Sequence, residues 1–315
     1  MNYLGGVDEA GLGPLLGPLV VAGVALAGPK GECPWELLDD VICRDRMRKG
    51  KIRVADSKKV HQGKRGLERL EQTALSFWGA HHGHIPQTVT ELLEECGADL
   101  KHLRRCPWYE DLDIPLPLVN DPRDIELRAH QLAGAIDAAG MELLSIAVRT
   151  VDVEEFNQLI EETDNKSRTH FRAYSKIIAE ILKVLPEGAH LVADRCGGLM
   201  HYLPSLRRAY PKAKIERLEE GIASSSYRIR TRTGPVKVTF TTQGEDRSFP
   251  TALASCTAKY FREIMVKALN RWFAQRVPEL RPTAGYYQDG RRFLEDVAQI
   301  VDAQDFPRSR LIRVR

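Results

Sequence analysis

The stretch Gly5-Gly6-Val7-Asp8-Glu9-Ala10-Gly11-Leu12-Gly13-Pro14 places two acidic residues side by side at the end of an apolar segment and follows them with glycines. Residues 3–8 and 19–26 have the apolar pattern of two strands, and the turn between them is rich in glycine and proline, which predicts an N-terminal β-hairpin. Neighbouring side chains of a strand point to opposite faces, so Asp8 and Glu9 can share a site only if the chain turns there. Taken alone, an acidic pair at a strand end can also be simply solvated.

Two further acidic positions follow predicted strands. Residues 190–194 form an apolar strand that ends in Asp194, and Glu245 and Asp246 follow a second predicted hairpin, formed by residues 227–233 and 236–242. Acids at three strand ends suggest a divalent metal site, because Mg²⁺ prefers oxygen ligands. Two such ions about 3.5–4 Å apart can hold the attacking and leaving oxygens of a phosphodiester displacement.

The rest of the chain has the pattern of a single α/β domain, residues 1–315, without internal repeats. A strand at 143–153, a helix at 168–184 and the strand at 190–194 make a βαβ arrangement, which implies parallel pairing. We predict a helical insertion at about 64–125 and a C-terminal helical extension at about 250–315. Trp78 and Trp108 are expected in the core.

Composition excludes several classes of protein. The 315 residues are 43% hydrophobic and 28% charged, unlike disordered, collagen-like or coiled-coil chains. The longest apolar run, residues 15–28, is interrupted and too short to span a membrane, and acidic rather than basic residues come first, unlike a signal peptide. We therefore expect a cytoplasmic protein whose six cysteines are reduced. A net charge of +3 does not by itself indicate a nucleic-acid binder.

Four motifs in this order resemble the ribonuclease HII family, the type 2 ribonucleases H. Asp8-Glu9-Ala10-Gly11-Leu12-Gly13-Pro14 with Gly17-Pro18 resembles the family's opening signature, except that Leu12 stands where the family has arginine. Asp56-Ser57-Lys58-Lys59 is similar to its Asp-Ser-Lys-Lys segment, and the strand ending at Asp194 to its strand with a catalytic aspartate. Leu253-Ala254-Ser255, Ala258-Lys259 and Arg262-Glu263 resemble its Ala-Ala-Ser, Ala-Lys and Arg-Asp helix.

This resemblance implies a ribonuclease H-like mixed sheet flanked by helices, with four carboxylates that bind Mg²⁺ or Mn²⁺. Asp8, Glu9 and Asp194 match three of the four. The spacing from Lys259 makes Glu245 the fourth, whereas the position of Pro250 makes it Asp246. We favour Glu245 as the metal ligand and keep both residues as catalytic candidates.

The resemblance also implies how substrate is recognised. In the family the backbone of the glycine-rich turn, here Gly11, Leu12 and Gly13, lies against the ribonucleotide and senses its 2′-hydroxyl. Tyr286 resembles the family's junction-sensing tyrosine, with Tyr287 as its neighbour. Leu12 lacks the guanidinium that would contact phosphate, so recognition of a single embedded ribonucleotide is less supported than cleavage of long hybrids.

Basic residues elsewhere have two explanations each. Lys58 and Lys59 either contact phosphate or belong to an ordinary helix start. Ser255, Lys259, Arg262 and Glu263 share one helix face, and we expect Lys259 to reach the site; the alternative is an ion pair on a solvated face.

Three weaker features complete the prediction. Arg228, Arg230 and Arg232 either follow a nucleic-acid backbone or protect a sheet edge. The basic tail, residues 308–315, is a candidate replacement for the family's His-Arg segment. Six residues match no compact zinc pattern, and their histidines are better explained as scattered surface residues of a helical insertion: His81, His82, His84, Cys96, His102 and Cys106.

The leading hypothesis is a Mg²⁺- or Mn²⁺-dependent endoribonuclease that cuts the RNA strand of RNA:DNA hybrids, leaving 3′-hydroxyl and 5′-phosphate ends as the family does. One alternative is a catalytically impaired nucleic-acid-binding protein, and another is a nuclease respecialised for other structured nucleic acids. Clustered carboxylates repel one another without a cation, which argues against complete loss of activity. Protein partners are not predicted.

Overall fold

The computed structural model describes residues 1–303 and 306–314, and its secondary structure follows the predicted alternation of strands and helices. The strands are β1 (Asn2–Ala10), β2 (Leu19–Gly28), β3 (Ile42–Cys43), β4 (Ile52–Arg53), β5 (Glu142–Val151), β6 (His190–Asp194), β7 (Ile215–Glu220), β8 (Ser224–Thr231) and β9 (Gly234–Thr241). The helices are α1 (Pro34–Leu37), α2 (Ser57–Val60), α3 (Gly66–His82), α4 (Val89–Glu95), α5 (Leu100–Leu103), α6 (Pro122–Ala138), α7 (Val153–Thr163), α8 (Lys166–Val184), α9 (Leu203–Ala209), α10 (Gly244–Arg247), α11 (Phe249–Ala274), α12 (Tyr287–Asp296) and α13 (Ala298–Ala303). Short 3-10 turns cover Pro107–Tyr109 and Arg308–Arg310.

Seven of the strands form one mixed sheet in the order β5-β2-β1-β6-β9-β8-β7. The predicted N-terminal hairpin is present, with β1 antiparallel to β2 from Asn2 opposite Gly28 to Ala10 opposite Val20. Strand β6 lies between β1 and β9 and is parallel to both. Helices flank the sheet, which confirms the predicted mixed sheet flanked by helices.

The βαβ prediction is wrong about pairing and right about direction. Strands β5 and β6 run the same way, but β2 and β1 lie between them in the sheet. All ten residues of β2 are buried, whereas β5 is largely half-exposed. The hairpin therefore takes the covered centre of the sheet and β5 takes an edge, an arrangement that depends on burial and not on chain order.

Strand β2 carries the core on both of its faces. Val20, Ala22, Val24 and Leu26 join one apolar cluster with α11, while Leu19, Val21 and Ala25 join a second cluster with α8. This alternation has the period of two residues that a strand covered on both sides requires. Each fully buried aliphatic side chain of this size contributes about 1.5–3 kcal/mol, so the hairpin anchors the sheet.

Helix α11 crosses the sheet in close contact with β1. A Cβ atom on Gly6 would lie 2.1 Å from the backbone nitrogen of Thr251, so only glycine permits this approach. The Thr251 hydroxyl donates to the carbonyl of Val192 on β6 at 2.9 Å. These contacts fix the first turns of α11 beside the ends of β1 and β6.

Helices α3 to α5 and the start of α6 occupy the range predicted for the helical insertion. Glu71, fully buried on α3, accepts hydrogen bonds from the backbone amides of residues 118–120 and from the Tyr260 hydroxyl on α11. Trp78 and Trp108 are each 2% exposed, as expected for core residues. The insertion is thus attached to α11. That residues 1–315 form a single domain stays a prediction.

The cysteines and the helix lengths each bear on an expectation from composition. All six cysteines are unpaired. Among the helices of residues 1–303 and 306–314, none has the length and apolar composition needed to cross a membrane.

Candidate active site

The ends of neighbouring parallel strands bring the predicted carboxylates together. Val7 on β1 lies opposite Ala193 on β6. Asp8 and Asp194, the next residues, therefore lie side by side at the carboxyl ends of these two parallel strands. The backbone N–H of Gly244 donates to Asp194 Oδ1 at 3.0 Å and holds α10, with Glu245, against this edge. Asp8, Glu9, Asp194 and Glu245 all line one open pocket of about 510 Å³.

The predicted turn between Asp8 and Glu9 does not exist. Strand β1 stays paired with β2 through Ala10, and the left-handed conformation comes only at Gly11, with φ of 92°. Glu9 accepts a hydrogen bond from the Tyr174 hydroxyl on α8, and the same hydroxyl lies 3.5 Å from Asp8 Oδ1. The two carboxylates meet at the strand end because one phenol reaches both, so no change in backbone direction is needed.

Burial and mutual repulsion hold three of the four acids toward their neutral forms. Burial raises the pKa of Asp8 well above its ordinary value, and the neighbouring Glu9 and Asp194 raise it further. Burial also raises the pKa of Asp194, and it raises that of Glu245 to about 7. Glu245 Oε2 is buried and has no hydrogen-bond partner within the described residues. These groups fit a divalent cation, which would stabilise the charged carboxylates and satisfy the buried oxygen.

Glu9 behaves differently because of residues that the sequence analysis did not single out. Burial alone would raise the pKa of Glu9, but the His170 ring, 3.5 Å away, and the Tyr174 hydroxyl outweigh burial and lower it. His170 is fully buried and packs edge-on against Tyr174 with ring centroids 4.9 Å apart. Two polar rings four residues apart on the apolar face of α8 were the available sequence signal.

The carboxylates are not packed into a tight cluster. No three of them have ligand oxygens that all lie within 4.8 Å of one another among the described side chains. As they stand, these side chains do not enclose a single ion.

The glycine-rich turn exposes backbone to the pocket. A Cβ atom on Gly11 would lie 2.5 Å from Arg262 Nε, whereas one on Gly13 would meet no atom within 4 Å. Gly11, Leu12 and Gly13 all line the pocket, and Leu12 is partly buried against the apolar cluster on the α8 side. A ligand could approach this backbone closely.

Helix α11 and the Asp-Ser-Lys-Lys segment meet at the floor of the pocket. The Ser255 hydroxyl donates to Ser57 Oγ at 3.0 Å, which places Lys58 at the pocket edge. Lys259 lines the pocket and forms an ion pair with Glu263 at 2.6 Å.

The shared helix face divides into two parts. Ser255, Lys259 and Glu263 line the pocket, and Arg262 is 1% exposed beneath Gly11 and donates to the carbonyl of Ala284 at 2.8 Å. The alternative of a solvated face is wrong for Arg262.

Two candidates lie outside the pocket. Asp246 forms an ion pair with Lys59 at 2.7 Å on the surface, and neither side chain lines the pocket.

Tyr286 lines the pocket and is 51% exposed, with the Arg262 guanidinium 5.5 Å from its ring centroid. Tyr287 is not among the lining residues.

Comparison with known proteins gives one match in sequence. A ribonuclease HII from Archaeoglobus fulgidus is 35% identical over 118 residues, which are 35% of this chain and 49% of that protein. The chain resembles ribonuclease HII. This match confirms the resemblance predicted from the motifs, and it spans about half the length of the curated relative. No family model matches the chain.

Solved structures of ribonucleases H are also similar over most of the chain. The structure of the PCNA:RNase HII complex from Archaeoglobus fulgidus covers 99% of this chain and 94% of that chain, with 16% identity and a TM-score of 0.43. The match to the structure of Bst-RNase HIII in complex with Mn²⁺ covers 99% of this chain and 66% of that chain, with 13% identity and a TM-score of 0.45. The ribonuclease H2 from Pyrococcus horikoshii OT3 covers 98% and 92%, with 15% identity and a TM-score of 0.38.

The C-terminal tail lies behind the glycine-rich turn of the ribonuclease HII-like signature. Arg313 is 4% exposed, its guanidinium donates to the carbonyl of Gly11, and its backbone N–H donates to Leu15 at 3.0 Å. Arg308 and Arg310 pair with Asp302 and Glu154. The described part of the tail therefore supports the turn, and its role as a replacement for the family's His-Arg segment stays a prediction. Arg315 lies outside the described residues.

Arg230 and Arg232, at the turn end of the β8–β9 hairpin, are remote from the candidate active site. Strand β9 ends at Thr241, opposite Asp194, and begins at the β8–β9 turn. This turn, which contains Arg232, is roughly 20–25 Å away along the strand. Arg228 pairs with Glu216 at 2.7 Å. Strand β8, which carries Arg228 and Arg230, is paired with β7 as well as β9, so these two arginines do not lie on an edge strand and the edge-protection explanation is wrong for them.

The histidines of the insertion find other partners. His82 stacks on Trp78 and His102 pairs with Asp152 at 2.6 Å. His84 lies with Glu91 and Glu95 in an exposed group whose ligand atoms are within 4.8 Å of one another. Hydrogen bonds from the Trp78 indole and the Gln87 amide already occupy these carboxylates. The group is explained without an ion.

Proposed function

We propose that this protein is a metal-dependent endonuclease that hydrolyses the RNA strand of RNA:DNA hybrids. The observation that carries the proposal is the meeting of Asp8, Glu9, Asp194 and Glu245 in one open pocket that residues 11–13 also line. The sequence similarity to ribonuclease HII supports the same reaction class.

Asp8, Glu9, Asp194 and Glu245 are the proposed ligands of Mg²⁺ or Mn²⁺. Glu245 is preferred to Asp246 as the fourth, because its buried oxygen lacks a partner while Asp246 is engaged by Lys59. When bound, two such ions supply water activation and neutralise charge on the leaving 3′ oxygen. The chain then needs no general base of its own.

The remaining groups of the pocket bind and orient substrate. Lys58, at the edge beside Glu245, offers a cation to phosphate, and Lys259 is held in place by Glu263. The backbone at Gly13, where a Cβ atom would meet no described atom within 4 Å, permits close approach of a ribose, and the exposed ring of Tyr286 offers a stacking surface.

Long hybrids are the preferred substrate over single embedded ribonucleotides. Leu12 supplies no charge, and the two nearest arginines, Arg262 and Arg313, are buried behind the turn where they cannot reach a phosphate. Affinity must then come from contacts distributed along the duplex.

The test is cleavage of three labelled duplexes by the purified protein with Mg²⁺ or Mn²⁺: an RNA:DNA hybrid, a DNA duplex with one ribonucleotide, and all-DNA. We expect cleavage of the hybrid, weak cleavage of the single ribonucleotide and none of all-DNA. An Asp8→Asn variant should lose at least about 100-fold in rate, since even indirect supports of metal ligands are worth 10–100-fold. Binding of the hybrid without cleavage by the wild type would leave the binding-protein alternative in place of the enzyme.

A further inference from the structure

A basic loop, residues 44–51, projects from the surface close to the candidate active site. It connects β3 with β4, which pair in parallel, and all of its residues except Lys51 are exposed. With Arg53 on β4, the segment carries six cations and one acid, whereas the whole chain has an excess of only three positive charges. The rest of the protein is therefore slightly acidic, and the positive charge is concentrated here.

The base of this loop is rigidly attached. Ile42 and Ile52 are buried, and the backbone N–H of Val54 donates to Cys43 at 3.0 Å. The Arg53 guanidinium donates to the carbonyls of Asp45 and Lys59 at 2.7 and 3.0 Å. The loop is thus tied directly to the Asp-Ser-Lys-Lys segment that borders the pocket.

A second attachment joins the basic loop to the helix that carries Glu245. The Arg44 guanidinium donates to the backbone carbonyl of Asp246 and lies 4.4 Å from the ring centroid of Trp35. The Asp246 side chain is held by Lys59. Basic side chains therefore run from Lys58, beside Glu245, through Lys59, whose charge Asp246 partly neutralises, and Arg44 to the loop.

The charges at the top of the loop are available to a ligand. Asp39 partly neutralises Arg48 and Lys51, at 3.4 and 3.3 Å. Arg46 and Lys49 are exposed and have no ion pair or hydrogen bond within the described part of the chain. Arg46 also lines an open hollow of about 740 Å³, whose wall combines Arg44, Arg46 and Arg48 with the acids Glu36, Asp39 and Asp45, so the charge left for a ligand is that of the exposed loop and not of the hollow.

We infer that the basic loop binds the phosphate backbone of the duplex whose cleavage we propose above, on the stretch that continues beyond the carboxylates. This inference rests on the proposed function for the position of the duplex. A duplex held at the carboxylates carries one negative charge per about 1.7 Å of its axis and extends past the pocket, so the most positive adjoining surface is where its backbone is stabilised. Such contacts are independent of base sequence and compensate for the missing arginine at Leu12.

The test compares the salt dependence of binding by two matched double variants. Arg46→Gln with Lys49→Gln removes two loop charges. Arg230→Gln with Arg232→Gln removes two exposed charges at the opposite end of the sheet. Affinity for a fluorescent RNA:DNA hybrid is measured by anisotropy in Mg²⁺ between about 50 and 200 mM salt. All proteins carry Asp8→Asn to slow strand cleavage.

The loop variant should lower the slope of log affinity against log salt by about 1.8, since each phosphate contact contributes about 0.9, while the control variant keeps the slope of the parent. An unchanged slope in the loop variant, an equal loss in the control, or no binding by the parent would overturn the inference. An unchanged slope is also the result expected if the loop instead binds an acidic protein. Cleavage by the wild type reports on the proposed function separately: loop-dependent binding without cleavage rejects the nuclease alone, and cleavage with loop-independent binding rejects the loop alone.

Discussion

Glu245 and Asp246 are adjacent, yet the fold gives them different environments. Glu245 lines the pocket with one buried oxygen that has no hydrogen-bond partner among the residues the structure describes, and Asp246 pairs with Lys59 on the surface. The first of them is therefore able to bind a cation, and the second connects the pocket edge to the basic loop.

This difference predicts opposite outcomes for two similar substitutions. Glu245→Gln should reduce cleavage of the hybrid by about 10–100-fold or more and weaken Mn²⁺ binding, because a metal ligand is lost. Asp246→Asn should change Mn²⁺ affinity by less than about threefold, since an exposed ion pair is worth about 0–1 kcal/mol. Calorimetric titration of Mn²⁺ into each protein measures this without reference to activity. Equal losses in the two variants would contradict our assignment of the fourth carboxylate.

The raised pKa values of the pocket predict how stability depends on pH. The pKa of Glu245 is about 7 in the folded protein and 4.5 in its ordinary state. The stability it contributes is complete below about pH 4.5 and is lost as pH rises through about 7. The raised pKa of Asp8 acts in the same direction. Metal-free protein should thus become less stable between about pH 5 and 8.

Thermal unfolding at about pH 5 and pH 8, in chelator and in Mg²⁺, measures this pH dependence of stability. The increase in Tm caused by Mg²⁺ should grow with pH, because ions bind the charged carboxylates. Glu245→Gln should flatten the pH dependence in chelator. A Mg²⁺ effect of the same size at about pH 5 and pH 8 would count against a carboxylate site.

At the scale of elements, the position of α11 against β1 decides where the pocket floor lies. Gly6 permits the contact, and a side chain there would meet the backbone of Thr251, which cannot move aside as a flexible side chain could. The same helix carries Ser255 and Lys259 to the pocket. One glycine on the sheet therefore positions several residues of the site.

We expect Gly6→Ala to lower the free energy of unfolding by about 3 kcal/mol or more, at the upper end of the cost of overpacking. Gly134→Ala on α6 is the matched control, because its Cβ would meet no atom within 4 Å. This control should raise stability by about 0.5–1 kcal/mol, as glycine in a helix is unfavourable relative to alanine. Urea unfolding measures both. Similar stability of Gly6→Ala and wild type would show that α11 does not approach β1 this closely.

At the scale of the whole molecule, the two ends of the chain support each other at the site. Asn157 on α7 donates to the carbonyls of Ser309 and Ile312 and accepts from the backbone of Val314, each at 2.9 Å. The tail held in this way pairs with Leu15 and Leu16, directly after the glycine-rich turn. The turn is therefore positioned by the last described residues of the chain.

Asn157→Ala should release the tail and loosen the turn. Loss of hydrogen bonds by buried groups costs about 1–3 kcal/mol each, so the amide of Arg313, which donates to the Leu15 carbonyl and ties the tail to the turn, should exchange hydrogen at least about 10-fold faster. The control is Asn120→Ala, which removes hydrogen bonds to Glu71 and Gln72 in the insertion. Equal rates of hydrogen exchange for the Arg313 amide in wild type and Asn157→Ala would contradict the supporting role of the tail.

The sequence by itself determined the parts that depend on neighbours along the chain. The alternation in β2, the helical spacing of α8, and acids at the ends of β1 and β6 were predictable, because periodicity and strand-end position are local properties. The sequence did not predict that β2 pairs with a strand on each side. This pairing puts β2 and β1 between β5 and β6 in the sheet.

Only the tertiary structure shows that Glu245 lines the pocket and Asp246 does not, that Arg262 is buried, and that the described part of the tail packs against the glycine-rich turn. Each placement depends on contacts between residues far apart in the chain, such as Gly244 with Asp194 or Arg313 with Gly11. Around a helical turn such as α10, adjacent side chains point in different directions. A shift of one residue in sequence therefore separates a buried carboxylate from a surface one, and residue type carries no information about that difference.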